Sequence, residues 1–366
     1  MNKQNQALNY RTRIINTLSE IGQSTWDCLL SAQKESNPFL SFAFLDALHA
    51  SGCANERTGW EPHYLTIWRE EQLVAAMPLY IKHHSYGEYV FDWAWADAYH
   101  RNGFEYYPKL LSSIPFTPVS GGRLLAIDDE ASNALIFALS DLQQTKGLSS
   151  THILFPPKAQ ALALQKAGFM LRAGVQFHWV NQHYGCFDDF LATLERKKRK
   201  NIRAERRKVA EAGVTFRHVL GKDATQDDWR FFTHCYNNTY AEHHSTQYLN
   251  LAFFQRIGTS MPQHLLLIIA EREGQPIASS LVVYNENTLY GRYWGAIEHV
   301  PCLHFETAYY QALEFCIARG LQYFEGGAQG EHKMARGFLP TKTWSAHWLS
   351  HPAFSTAIEQ FLNNIF

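Results

Sequence analysis

Net charge is nearly absent from this chain: 33 Lys and Arg stand against 34 Asp and Glu, leaving −1. That balance excludes a generically basic nucleic-acid coat and an acidic chaperone-like surface, so any polyanion contact has to be local. Paired cysteine motifs are missing too. Cys28, Cys53, Cys186, Cys235, Cys302 and Cys316 are scattered without a C-x-x-C spacing and read as reduced cytosolic thiols. Long apolar runs are also lacking. The longest strongly apolar stretch, Leu265 to Ala270, falls far short of the ~18 residues of a membrane span, and the opening MNKQNQALNYRTRII has no apolar core of signal-peptide length. The expectation is a cytoplasmic protein without integral membrane contact. Metal-ligand spacing is absent despite 18 histidines. His83-His84 and His243-His244 are adjacent, and adjacent side chains diverge on a helix or a strand. His347 and His351 lie in TWSAHWLSHP, which reads as a strand running into a turn, so no metal site is expected.

What is there is enough apolar material for a real core, 46% of 366 residues, at a length that favours two domains. The two halves resemble each other. Trp26 and Trp229, Ala75 and Ala278, and Tyr86-Gly87 and Tyr290-Gly291 recur at an offset of 203 or 204. Farther along, Gly147 pairs with Gly320, Gly168-Phe169 with Gly337-Phe338, and His178-Trp179 with His347-Trp348, at 173 and then 169. The first half therefore carries an insertion of roughly 30 residues, near 98–126, within the interval from Asp92 to Ile127. PHYLTIWREEQLVAAMPLY and QHLLLIIAEREGQPIASSLVV both read as two antiparallel strands joined by a hairpin. A third strand-like segment follows each, Tyr86 to Trp95 and Thr288 to Ala296. ASNALIFALSDLQQTKG and HFETAYYQALEFCIARG then read as helices ending at glycine. The division expected is a first domain over 1–180 and a second over 181–366 that opens with a basic helix.

This order of elements resembles the GNAT acyltransferase fold, and a tandem pair resembles the FemABX-like enzymes. ERKKRKNIRAERRKVAEAGV, with its Asn-Ile-Arg, and the C-terminal IARGLQYFEGGAQGEHKMARGFLPTKTWSAHWL are similar to Fem-family segments. NPFLSFAFLDALHASG, SYGEYVFDWAWADAY and YYPKLLSSIPFTPVSG are similar to a FemAB-like branch of predicted N-acyltransferases of peptidoglycan biosynthesis or recognition. The resemblance implies an α+β chain of two tandem GNAT-like mixed-sheet units. It implies transfer of an acyl or aminoacyl group to an amine acceptor of the kind that a nucleotide- or lipid-linked cell-wall precursor presents. Acyl-CoA or aminoacyl-tRNA would be the co-substrate, with tRNA a possible partner. A coenzyme-A-dependent small-molecule transferase and a non-catalytic precursor-recognition protein are the alternatives. GNAT enzymes take the oxyanion contact from a splayed fourth strand, here Tyr290 to Ala296; the turn after it, IEHVPCLHFET, has no glycine, which counts against coenzyme A.

Candidate site residues follow. The run Arg196 to Lys208 holds nine basic residues and one acidic one, either a solvated face or a phosphate dock, with Arg203 and Lys200 the leading substrate-binding choices. Leu191, Leu194, Ile202 and Val209 are expected as a narrow apolar stripe on that helix. Lys333 and Arg336 follow the Gly-rich turn EGGAQGEH. The resemblance places a Lys there, where it can reach a carbonyl or phosphate; a surface ion pair is the alternative. Glu306 is a candidate general base or only a helix-dipole partner, and Tyr310 shares its face. Neither Lys333 nor Glu306 is expected in the core. In FDWAWADAYH, strand alternation puts either Asp92 or Asp97 beside buried Trp rings, where desolvation raises its pKa. Ser120 and Gly121, with Gly122, form a possible anion cradle or only a bend.

Overall fold

A computed structural model describes residues 10–363 apart from 35 and 329, and the chain falls into two compact units. The first takes residues up to Gly174 together with those from Thr343 onward; the second runs from Val175 to Lys342.

The first unit opens with β1 (Tyr10–Ile15), α1 (Gln23–Ser31), α2 (Phe42–Ala50), β2 (Trp60–Pro62), β3 (Tyr64–Arg69), β4 (Gln72–Met77) and β5 (Tyr80–Lys82). It continues with α3 (Trp93–Arg101), β6 (Lys109–Ser112), β7 (Leu125–Ala126), α4 (Asp129–Lys146), β8 (Ser150–Leu154) and α5 (Lys158–Lys166). β3 and β4 form the expected hairpin, flanked by β1 and β7 in a four-stranded antiparallel sheet. A second ladder runs β2-β5-β6-β8, with β6 and β8 parallel. Asp128 caps α4 by accepting the Ala131 N–H, and Leu135, Leu139 and Leu142 of that helix pack with Leu65, Ile67 and Val74 of the hairpin.

The third strand expected at Tyr86 to Trp95 is not formed: α3 starts at Trp93. Its aromatic residues alternate, but Trp95 and Tyr99 are four apart and share a helical face that buries against Leu349 and Ile358. Trp93 is left exposed.

The second unit contains α6 (Phe187–Thr193), α7 (Arg196–Glu211), β10 (Val214–Leu220), α8 (Gln226–Glu242), α9 (Leu251–Ser260), β11 (Leu265–Arg272), β12 (Gln275–Tyr284), β13 (Thr288–Ala296), α10 (303–319, with a π-helical turn at Glu306–Tyr310) and β14 (Tyr323–Glu325). β10 to β13 are antiparallel neighbours in order, and β14 joins β13 in parallel. Leu266, Ile268 and Val282 pack against Leu313 and Phe315 of α10.

Two long strands carry the chain between units. β9 (Met170–Val180) starts in the first, and its residues His178 to Val180 pair with β14 of the second. β15 (Leu339–Leu349) starts in the second, and its residues Ser345 to Leu349 pair with β8 of the first. Residues 343–366, expected with the second domain, thus count with the first unit. The repeat is visible in the backbone. Gly147 and Gly320 end α4 and α10 at φ +62° and +66°, and Gly168 and Gly337 precede β9 and β15 at +93° and +81°, conformations that favour glycine. Tyr86-Gly87 lies in a turn, whereas Tyr290-Gly291 lies inside β13, so that pair is not equivalent.

Candidate active site

In the second unit β14 ends at Glu325, opposite Tyr290, while β13 runs on to Ala296. This is the divergence expected of the splayed strand. β13 is also bulged there: Leu281 faces Tyr293 and Val282 faces Gly291, which leaves Arg292 as the extra residue. A bulge bends its strand and re-aims the residues beside it, a local geometry suited to an oxyanion contact.

A cavity of about 270 Å³ lies at the far end of β13, lined by Trp294 and Ala296, by the turn through Val300 and Cys302, and by the first residues of α10. The turn has no glycine, yet Cys302 adopts φ +70°, the left-handed conformation a glycine would take. Its lack of glycine therefore does not exclude a phosphate-binding turn of that shape.

Lys333, in the short helical turn Glu331–Arg336, is 2% exposed, against the expectation of a surface side chain. Its Nζ donates to the Gly327 carbonyl at 3.1 Å, and its stem lies across Gly326, where a Cβ would sit 3.2 Å from Cε. Burial lowers its pKa to about 8. Gln329 of the Gly-rich turn lies outside the described residues.

The other candidates on α10 and that turn are tied to Glu205 and Arg206 of α7. Arg336 makes two 3.0 Å bonds from one guanidinium nitrogen to the Glu205 carboxylate, donates to the His332 carbonyl, and sits 3.4 Å from the centroid of Phe305. Tyr310 is fully buried and donates to Glu205, so it does not line a cleft. Glu306 is 3% exposed, not a surface dipole partner: Arg206 Nε reaches both its oxygens at 3.2 Å and Gln311 donates at 2.8 Å. Burial raises the Glu306 pKa despite Arg206. A carboxylate so enclosed by donors holds α7 to α10 rather than facing a substrate.

Exposed cations remain on α7. Lys200 is exposed, and Arg203 pairs with exposed Asp188 at 2.9 Å. Ile202 and Val209 are the buried residues of α7, whereas Leu191 belongs to α6 and Leu194 ends it. The chain turns between the two helices, so the expected stripe is split.

The first-unit candidates are drawn into a different network. Asp92 is 4% exposed and accepts from Lys109 Nζ at 2.5 Å and Tyr106 at 2.7 Å; Lys109 also reaches Glu88 at 2.9 Å and Ser85 at 2.8 Å. Burial would raise the Asp92 pKa, but the Lys109 charge outweighs it and holds the carboxyl well below the usual range, opposite to the expectation. Tyr106 continues to His152, and His152 to His347 at 2.8 Å. Asp97 is exposed on α3 and pairs with Arg101 one helical turn on. The Ser120-Gly121-Gly122 bend cradles the chain's own cation: buried Arg123 donates to the carbonyls of Val119, Gly121 and Leu154 at 2.8–2.9 Å, and Ser120 O accepts from Asn37. Carbonyls turned toward a guanidinium repel an anion.

Sequence reasoning missed Glu325 and Lys109. Lys109 was hidden inside the inserted segment. Glu325 carried one signal, a carboxylate at the end of an apolar strand and beside two glycines.

Among the described residues no group of three or more His, Cys, Asp or Glu is placed to hold a metal, and no helix is long and apolar enough to cross a membrane. No curated protein sequence matches the chain. FemX shares the fold at a TM-score of 0.58 and 11% identity, over 96% of this chain and 100% of that one. L-PGS from Bacillus licheniformis gives 0.54 at 11% identity, over 93% of this chain and 97% of that one. A conserved protein of unknown function from Bacteroides thetaiotaomicron gives 0.53 at 13%, over 92% of this chain and 99% of that one. These likenesses, with the strand, helix pair, three antiparallel strands, helix and parallel strand of the second unit, give the chain a GNAT-like α+β fold with mixed sheets. Its sequence matches the FemAB_like model, described as peptidoglycan biosynthesis/recognition, over residues 17–365, and the chain belongs to that family.

Proposed function

We propose that the protein is an N-acyltransferase whose reacting groups sit in the second unit, where β13 passes the end of β14. The observation that carries this reading is the bulged, diverging strand with a cavity at its far end and a buried lysine on the adjoining turn. The activated acyl or aminoacyl donor occupies the cavity along β13, and a backbone N–H of that strand holds the carbonyl oxygen as it becomes an oxyanion. Lys333, already short of solvent, adds positive charge where negative charge develops. The acceptor is an amine of a cell-wall precursor, consistent with the family's description. The basic face of α7 docks the phosphates of a nucleotide- or lipid-linked acceptor, or of an aminoacyl-tRNA donor. The left-handed Cys302 favours keeping a second donor in view, acyl-coenzyme A, because the turn before α10 takes the shape of a pyrophosphate-binding turn without a glycine.

The test is product formation. Purified protein is offered acyl-CoA donors and aminoacyl-tRNA, each with peptidoglycan precursors carrying a free amine, and the new amide is measured by mass spectrometry. Amide from one donor supports the reading and names that donor. Saturable precursor binding with no amide from either donor replaces it with the recognition reading.

A further inference from the structure

Glu325 stands at the point where β13 leaves β14. Its side chain is only 15% exposed, and its Oε2 is buried without a hydrogen-bond partner. His178 Nε2 lies 4.0 Å away, beyond hydrogen-bond reach, and is within 3.2 Å of Gln176 Oε1 instead. Burial, reinforced by the Lys333 charge, lowers the His178 pKa to about 4, so at neutral pH it is no cation. The groups that face Glu325 are Tyr290 and Arg292 from β13 and His178 from β9, with Lys333 acting on His178 from the turn that follows. Burial raises the carboxyl pKa to about 8 despite the Arg292 charge. A carboxyl so enclosed, with one oxygen unpartnered, is costly alone and becomes favourable when a cation with N–H donors arrives.

We infer that Glu325 receives the ammonium group of the amine acceptor and removes the proton that must leave nitrogen before acyl transfer. This rests on the N-acyltransferase reading for the transfer step only. At neutral pH the free carboxyl carries a proton, so capture of an ammonium expels that proton to solvent and forms a carboxylate–ammonium pair. The carboxylate oxygen then takes one proton from nitrogen, whose freed lone pair bonds the acyl carbon. The carbon–oxygen or carbon–sulfur bond to the carrier breaks with its electrons going to the carrier atom, and the second nitrogen proton follows to that atom. Glu325 ends protonated, as it began.

Glu325→Gln keeps the shape and removes the base. The first readout needs no turnover: carbon-13 NMR of the glutamate carboxyls in the whole chain, with n-propylammonium and tetramethylammonium as probes. The Glu325 resonance, assigned by its loss in Glu325→Gln, is expected to titrate at lower pH with n-propylammonium and not with the quaternary cation, which has no N–H. Equal response to both, or to neither, overturns the inference whatever the enzyme's activity. The second readout is transfer to an amine-bearing peptidoglycan stem peptide. Where wild type forms amide, Glu325→Gln is expected to lose about 10²–10⁴-fold in kcat/KM together with its pH inflection, with partial recovery in Glu325→Asp. An unchanged pH profile in Glu325→Gln overturns the inference and leaves the transferase reading standing. A selective NMR response without amide formation does the reverse.

Discussion

The two units hold their buried charges in opposite ways. In the first, Lys109 is enclosed by Glu88, Asp92 and Ser85, and every contact made by its ammonium is internal. In the second, Glu325 and Lys333 sit on the two sides of a Gly-rich turn, each shifted toward its neutral form by burial. The difference teaches that burial alone does not mark a reacting group. Lys109 and Asp92, in direct contact, are each moved deeper into the ionised state even though burial pushes Glu88 beside them up to about 7, whereas Glu325, whose Oε2 has no hydrogen-bond partner, is left near neutrality and able to exchange a proton with a visitor.

The most damaging way to probe this contrast is Lys109→Met, which strands two buried carboxylates. Loss of about 3–5 kcal/mol is expected in chemical denaturation, since removing one partner of a buried pair leaves charge uncompensated. A loss below about 1 kcal/mol would dissolve the distinction between the two networks.

Lys333→Ala should cost about 10²–10³-fold in turnover, comparable to deletion of one oxyanion donor. Glu306→Gln should cost less turnover, because that carboxylate binds α7 rather than substrate. Asp92→Asn serves as the first-unit control. Turnover lost equally in Lys333→Ala and Asp92→Asn would mean that both units take part in the chemistry.

Acidity separates Asp92 from Glu325 by sign. Asp92 is held below its unfolded value, so its stabilisation is present above about pH 4 and is lost on acidification. Glu325 is raised to about 8, so its contribution is present below the unfolded value of 4.5 and is lost as pH climbs through 8. The melting temperature of Glu325→Gln should therefore gain on wild type as pH rises from about 5 to about 8, while that of Asp92→Asn should fall behind wild type as pH rises toward about 4 and keep a constant deficit above it. Parallel curves for the two variants would contradict the opposed shifts.

The smallest structural effect belongs to α7. Lys200→Ala with Arg203→Ala should move the melting temperature by less than about 2 °C, because exposed ion pairs contribute little. Binding of a phosphate-bearing precursor or of tRNA should weaken, and its salt dependence should become shallower. Affinity that is unchanged and insensitive to salt would make α7 a solvated face.

The repeat was legible because glycines with positive φ cannot be replaced cheaply, so Gly147 and Gly320, and Gly168 and Gly337, keep their places in both halves. The hairpins were legible from apolar runs around a charged turn. α3 was misread because Trp93, Trp95 and Asp97 alternate like a strand, while only Trp95 and Tyr99 are buried. The burial of Glu306 was hidden for another reason: its partner Arg206 lies 100 positions away, and no local pattern records a distant cation. Lys333 was found through its motif, but the low dielectric that tunes it comes from packing. Glu325 shows the same limit, since a lone carboxylate in LQYFEGG looks like a strand end until the absence of a donor is seen in three dimensions.

The crossing strands have a consequence for biosynthesis. Domains emerging from the ribosome usually fold in order, the N-terminal one first. Here the first unit lacks Ser345 to Leu349, the strand that lies against β8, until the second unit has been made. The second unit, by contrast, has β9 in hand before its own sheet is synthesised. The later-made unit can therefore close first, and the earlier one must wait with one edge of β8 unpaired until β15 has been made.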